Sequence, residues 1–337
     1  MPTIAFAGVA HIHTPGFISM LKNRPSFKVK RVWDHGRARG EQRARELNAE
    51  FVDQLEAIAA DDGISGVVVC SETDRHQRIV ETLAAHGKHL FVEKPLGMAS
   101  DDAYQTANAI EKAGVHFQTG YFMRGSAPIL TLKRLVDEGF FGKVTRVRAS
   151  NCHSGSLGGW FDAKPNDPAS DWRWMADPKQ SGVGAFGDLG THVLDLMLWM
   201  FGPVKAATAT LNMGTARYDG CDETGEGLVV FESGVIGTLA AGWTDVANPV
   251  SFQISGTKAM ASIIEGKLHL THAERKLDAV LSDPQQGLPH AFELWLDALE
   301  GKNVPLVGAR EAAYRSAVMA AMYEGARTHT WQTPKRG

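Results

Sequence analysis

Cysteine is scarce in this chain. Cys70, Cys152 and Cys221 are odd in number and widely separated in 337 residues. That excludes a disulfide framework and a zinc-knuckle spacing, and it points to a reducing cytoplasm. A dominant charge is missing too: the net charge is −3, so no global basic field draws the protein to nucleic acid or anionic lipid. No apolar run reaches the roughly 18–20 residues of a membrane span. The chain enters a β-prone run at Thr3–Ala7 without the basic start and apolar core of a signal peptide. Internal repeats and low-complexity tracts are absent. What is there is a globular balance, 44% hydrophobic and 22% charged, at a length that suits two domains.

The first third alternates β-prone runs with helical patterns. Strands are expected at Thr3–Ala7, Lys28–Trp33, Gly66–Cys70, His89–Val92 and Val115–Thr119. Helices are expected near 15–23, 36–47, 55–60, 76–85 and 101–113. This rhythm predicts βαβ units and a doubly wound parallel sheet, and the continuous apolar strand cores predict cover on both faces. After about Phe122 the character changes, which divides the chain into a domain at 1–122 and a second at 123–337. A helix near 128–138 and a strand at 144–150 come first. An irregular stretch, 152–181, is long enough to be functional. A strongly helical segment, 187–201, stops at Gly202-Pro203. Strands are expected at 206–211, 227–231, 235–241, 250–255 and 259–264, and helices near 290–299 and 310–327. Strands in succession imply an open, mostly antiparallel sheet with helices on one face.

Three strand ends carry nucleotide-binding signals. Gly8-Val-Ala10-His11-Ile12-His13 occupies the place of a G-x-G-x-x-G turn but keeps only its first glycine. The second glycine normally lets backbone approach a pyrophosphate, and the third lets helix and strand pack closely. Thr14-Pro15 reads as an N-cap followed by a first-turn proline. Asp34 ends the second strand and suits both ribose hydroxyls of NAD while repelling a 2′-phosphate; a turn-starting Asp is the alternative. Arg37 and Arg39 keep NADP open, and NAD is the expected cofactor. His35 follows Asp34. Ser71, Glu72, Thr73 and His76 follow the third strand and suit a passing phosphate or ribose, or a helix start capped by Thr73 or Asp74.

Glu93-Lys94-Pro95 stands where the fourth strand runs out. A cation beside a carboxylate at that edge lies where open α/β sheets bind ligands. Asp188 and His192 are four apart and share a helix face. Such an Asp can orient an imidazole and stabilise its protonated form, or the two can be a structural pair. His153 could join them around a metal, but no tight ligand cluster is visible and no metal is expected. Tyr121, Arg124, His153, Trp160, Trp172 and Arg173 are candidate substrate contacts. Aromatic faces suit a sugar ring, and an Arg suits a carboxylate; anchoring of the long loop or a subunit contact is the alternative for the tryptophans.

Taken together the motifs closely resemble the glucose–fructose oxidoreductase / inositol dehydrogenase / rhizopine catabolism (Gfo/Idh/MocA) family. The resemblance runs through the turn at Gly8, His86–Pro95, Gly120–Arg124, Gly139–Val144, Trp172–Trp174 and Gly184–Asp195. It implies a Rossmann domain followed by an α/β domain whose open sheet commonly forms dimers or tetramers. It implies an NAD(P)-dependent dehydrogenase or reductase of sugars, cyclitols or related polyols. By motif position Lys94, Asp188 and His192 match the family's catalytic Lys, Asp and His. Ala10 and His13 depart from the family's turn and leave the pyrophosphate contacts open. Two alternatives stand beside the dehydrogenase: an NAD-recycling glycoside-cleaving enzyme with Tyr121 or His153 as an extra base, and a non-enzymatic dinucleotide sensor.

Overall fold

The computed structural model describes residues 2–282 and 284–337. The first sheet contains β1 (Thr3–Val9), β2 (Lys28–Trp33), β3 (Glu50–Phe51), β4 (Gly66–Cys70), β5 (His89–Val92) and β6 (Phe117–Thr119). All neighbours pair in parallel, in the order β3-β2-β1-β4-β5-β6. β4 is buried at every residue, as a strand covered on both faces must be. The order reverses between β1 and β4, and in open α/β sheets the crevice beyond such a reversal is where ligands bind.

The second sheet contains β7 (Val144–Cys152), β8 (Val204–Asn212), β9 (Thr224–Phe231), β10 (Ile236–Gly242), β11 (Val250–Gly256), β12 (Ala259–Ile264), β13 (Lys267–His272) and β14 (Leu277–Val280). Its order is β14-β13-β12-β11-β7-β10-β9-β8, antiparallel except where β7 meets β10. On β7, Val147 and Ala149 are buried while Arg146 and Arg148 are exposed, so one face packs and the other is open. The packed face meets the helix Ala185–Phe201, which is buried almost all round. A helix apolar on every side belongs inside a protein, and this one carries its few polar side chains into the space between the sheets.

β13 escapes the sequence pattern because its inward residues, Leu268, Leu270 and His272, alternate with Lys267, His269 and Thr271, and a third inward histidine hides the period. β3 is a two-residue edge, and β14 is mostly exposed; neither has an apolar signature. The first helix starts at Thr14, so His13 rather than Thr14 is its N-cap. The helix at His76–Ala85 is capped by Arg75 after a 3-10 turn at Thr73–Arg75, not by Thr73 or Asp74.

The chain ends by returning to the first sheet. Phe292, Trp295 and Leu296 of the helix Ala291–Leu299 share a core with Ile4, Phe6 and Phe91. The last helix, Ala309–Thr328, packs against both the helix Ser100–Ala113 and β8, and so ties the two sheets together around the cleft.

Candidate active site

Gly8 sets the geometry of the crevice. Its φ is +84°, and a Cβ there would lie 2.5 Å from the Ser71 Cβ; only glycine admits both the conformation and the close approach. The ends of β1 and β4 are thereby drawn together. The Ala10 and His11 amides donate to the Cys70 carbonyl at 2.8 and 3.0 Å. Trp174 Nε1 donates to the Ala10 carbonyl at 3.0 Å, so the irregular stretch docks on the turn. Ile12 packs against the core of the second sheet. The turn is thus anchored on both sides, and in the first turn of the helix behind it the Thr14 and Phe17 amides donate to the His11 and His13 carbonyls while Pro15 has none to offer.

Glu93 lies at the end of β5, wholly buried. Its Oε2 accepts the Lys94 amide at 3.0 Å, and its Oε1 lies 3.1 Å from His13 Nδ1. Burial pushes the carboxyl up, but His11 and His13 outweigh it and hold Glu93 well below the usual carboxylate range. The third-glycine position is therefore occupied by a side chain that clamps Glu93, which a glycine cannot do. The His13 amide donates to His11 Nδ1 at 3.1 Å. Burial lowers the His11 pKa to about 3, with Glu93 opposing and His13 and Lys94 adding to the fall.

Lys94 points across the cleft. Its Nζ donates to Asp188 Oδ1 at 2.6 Å and lies 3.3 Å from the Asp188 carbonyl. Trp243 Nε1 donates to Asp188 Oδ2 at 3.2 Å. Burial raises the Asp188 carboxyl and Lys94 more than reverses this, leaving it at about 2. Asp188 therefore serves as the counter-ion of Lys94. The expectation that it orients His192 is corrected here: both of its oxygens face other donors, and His192 Nδ1 is buried with no hydrogen-bond partner among the described residues. His192 follows one helical turn later. Burial first, then the Lys94 ammonium, hold its imidazole well below 6.5 against the pull of Asp188, so the ring is neutral at physiological pH. Tyr121 and Phe122 flank its ring, with centroids 6.1 and 5.2 Å away.

A second group gathers at the ends of β2 and β4. Asp34 Oδ1 accepts from the Gly36 amide at 2.7 Å and from Arg39 Nη2 at 2.8 Å. Its Oδ2 accepts from the Val9 amide at 2.8 Å. Arg39 also reaches Glu72 Oε1 at 3.0 Å, and His35 Nδ1 lies 3.4 Å from the other Glu72 oxygen. Thr73 is buried beside them. His76 ties the loops together, with Nδ1 3.1 Å from the Pro95 carbonyl and Nε2 3.3 Å from that of Ser71.

The remaining candidates divide. His153 stacks on Trp160 with centroids 4.6 Å apart and lies within electrostatic reach of Asp188 and Lys94. Tyr121 donates to or accepts from Thr191 at 2.9 Å; burial raises its phenol, which makes it a support for the helix rather than a base. Arg124 does not reach out to a substrate. It is held bidentately by Asp195 at 2.8 and 2.6 Å, beside Arg315. Arg173 is paired bidentately with Asp171 at the surface, and Trp172 packs at the edge of the core with Lys164 over its ring. Sequence reasoning missed Trp243 and His290. His290 caps the helix Ala291–Leu299 through the Phe292 amide, stacks on Phe122 and faces Glu93 and His13. Only its place before an amphipathic helix hinted at a cap, and nothing local pointed to the cleft.

Comparison with known proteins places both halves of the chain in one family. Residues 3–121 match the oxidoreductase family with an NAD-binding Rossmann fold, and residues 129–262 match the GFO/IDH/MocA C-terminal domain. The 1,5-anhydro-D-fructose reductase of Ensifer adhaerens is 25% identical over 288 residues, 82% of each chain. The NAD(+) scyllo-inositol 2-dehydrogenase of Bacillus subtilis is 25% identical over 260 residues, 75% of this chain and 70% of that one. In fold, a levoglucosan dehydrogenase solved with NADH and levoglucosan superposes with a TM-score of 0.80 at 19% identity, over 99% of this chain and all of the other.

Proposed function

The chain belongs to the Gfo/Idh/MocA family of NAD(P)-dependent oxidoreductases, and on that premise we propose that it moves a hydride between NAD and a secondary hydroxyl or carbonyl of a sugar or cyclitol. One observation carries the reading. Lys94, buried at the carboxyl edge of the parallel sheet, lies within electrostatic reach of His192, a buried neutral imidazole whose Nδ1 has no hydrogen-bond partner among the described residues.

The residues fit a nicotinamide dinucleotide. The Gly8 cradle excludes even a Cβ, and the helix N-terminus behind it favours an anion. Asp34, fixed at the end of β2 by the Val9 and Gly36 amides, stands where a carboxylate suits ribose hydroxyls and disfavours a 2′-phosphate, which supports NAD over NADP. The dinucleotide, when bound, supplies the hydride acceptor or donor. His192 removes the hydroxyl proton in oxidation and returns it in reduction. Lys94 hydrogen-bonds the same oxygen and stabilises its developing negative charge, and Asp188 keeps the ammonium oriented. His153 and Trp160 offer an imidazole–indole platform for the sugar's CH face.

A redox-neutral cleavage of a glycoside in the same pocket is the second reading. It is favoured by His153, a further imidazole within reach of Lys94 and Asp188. An NADH-absorbance screen over hexoses, inositols, sugar acids and glycosides, with aglycone release followed in parallel, separates the two. Net NADH formation on a sugar or cyclitol supports the dehydrogenase, whereas aglycone without net NADH selects the second reading. Tight NADH binding with no turnover on any of these compounds defeats both. NADPH outperforming NADH in kcat/KM overturns the cofactor assignment.

A further inference from the structure

The cluster of His11, His13 and Glu93 does more than close the turn. One ligand atom from each lies within 4.8 Å of the others, and the two imidazole centroids are 4.6 Å apart. We propose that these three side chains form a divalent transition-metal site in the dinucleotide-free protein, and that metal and dinucleotide exclude each other there.

Charge is the first argument. The Glu93 carboxyl has no exposure. Its oxygens meet the Lys94 backbone amide and one ring nitrogen. The nearest lysine charge is engaged elsewhere, on Asp188 at 2.6 Å. A carboxylate held this deep is stabilised by a cation seated beside it.

Donor chemistry is the second argument. Two imidazoles and one carboxylate suit zinc, cobalt or nickel rather than magnesium or calcium, which require oxygen ligands. Three protein ligands with an open fourth position is a common arrangement for zinc. Zinc bonds of about 2.0–2.1 Å place ligand atoms roughly 3.3 Å apart, so the three side chains close by on the order of 1 Å through rotation about their own bonds. His11 gives up the His13 amide in doing so and binds through Nδ1, its ring proton staying on Nε2.

Place is the third argument. The ligands come from the turn at the β1–β4 reversal and from the end of β5, which is also where the proposed cofactor would lie. The exclusion half of the proposal rests on that cofactor reading; the binding half does not. The consequence is a zinc-sensitive enzyme whose inhibition is relieved by dinucleotide.

The experiment is equilibrium dialysis of dinucleotide-free protein against zinc sulfate, with cobalt absorption spectra as a second probe. One equivalent of zinc and a tetrahedral cobalt spectrum are expected. His13→Ala and His13→Gln should weaken zinc binding by on the order of 10–100-fold, while circular dichroism reports whether each variant is folded. His116→Ala is the control, because His116 and His89 form another close imidazole pair, 4.7 Å apart, away from the cleft. Absence of stoichiometric zinc overturns the proposal, as does zinc lost in His116→Ala but kept in a folded His13 variant. NADH binding is measured separately by fluorescence in chelator. If NADH binds and fails to displace zinc, exclusion is wrong; if NADH does not bind at all, the cofactor reading fails while the zinc result stands.

Discussion

Acid should expose the cost of burying His11. The ring is 2% exposed and its pKa is lowered to about 3. In the unfolded chain the same imidazole titrates near 6.5. Between pH 6.5 and about 3 the unfolded state binds a proton that the folded state refuses, so stability falls as pH falls through that window. Above pH 6.5 both states are neutral and the contribution vanishes. From the usual ~1.4 kcal/mol per pH unit, the loss is about 1.4 kcal/mol at pH 5.5 and about 3 kcal/mol at pH 4.5. Against a total of roughly 5–15 kcal/mol, that is a large share from one side chain. Burial lowers His76 and His192 as well, with the same sign. Urea unfolding of wild type and His11→Gln at pH 7.5, 5.5 and 4.5, without dinucleotide, isolates the His11 share. The wild type should lose about 3 kcal/mol relative to the variant on going from pH 7.5 to 4.5. A difference that stays constant with pH would refute the argument, because His11 would then titrate alike in both states.

Other outcomes follow from the same contacts. Lys94→Ala should lower kcat by about 10²–10⁴-fold in steady-state assays while leaving NADH affinity, read by fluorescence, close to wild type. Asp188→Asn leaves a buried ammonium without its counter-ion and should cost about 3–5 kcal/mol in denaturant unfolding. Gly8→Ala forces a Cβ toward Ser71 at a positive φ and should abolish NADH binding in a fluorescence titration even where the protein still folds. Since His192 is held neutral, kcat/KM should show no inflection near pH 6.5, and a bell whose acid limb falls there would contradict its assignment as the base.

Legibility in the sequence followed the range of the interactions. The parallel sheet was readable because its strands are buried on both faces and so appear as unbroken apolar runs, as in Val67–Val69. β13 and β14 were not, since a histidine replaces an aliphatic residue in one and the other is an exposed edge. Lys94, Asp188 and His192 stand out by motif position and helical spacing. Their wiring does not. The four-residue separation suggested an Asp–His pair, but a helix neighbour is only one competitor. Lys94, 94 residues away, takes one Asp188 oxygen, and Trp243, 55 residues away, takes the other. Arg124 looked free to grip a substrate because nothing local neutralises it, and Asp195 lies 71 residues further on. The turn was read through its missing glycines, yet what His13 contributes is a long-range contact with Glu93.

The most direct measurement is single-turnover hydride transfer to NAD from a sugar or cyclitol deuterated at the reacting carbon, in wild type, Lys94→Ala and His192→Asn. The account requires NADD to form in wild type with a primary isotope effect, and to form at least about a hundredfold more slowly in each variant. Deuterium transfer at wild-type rates in both variants would contradict it.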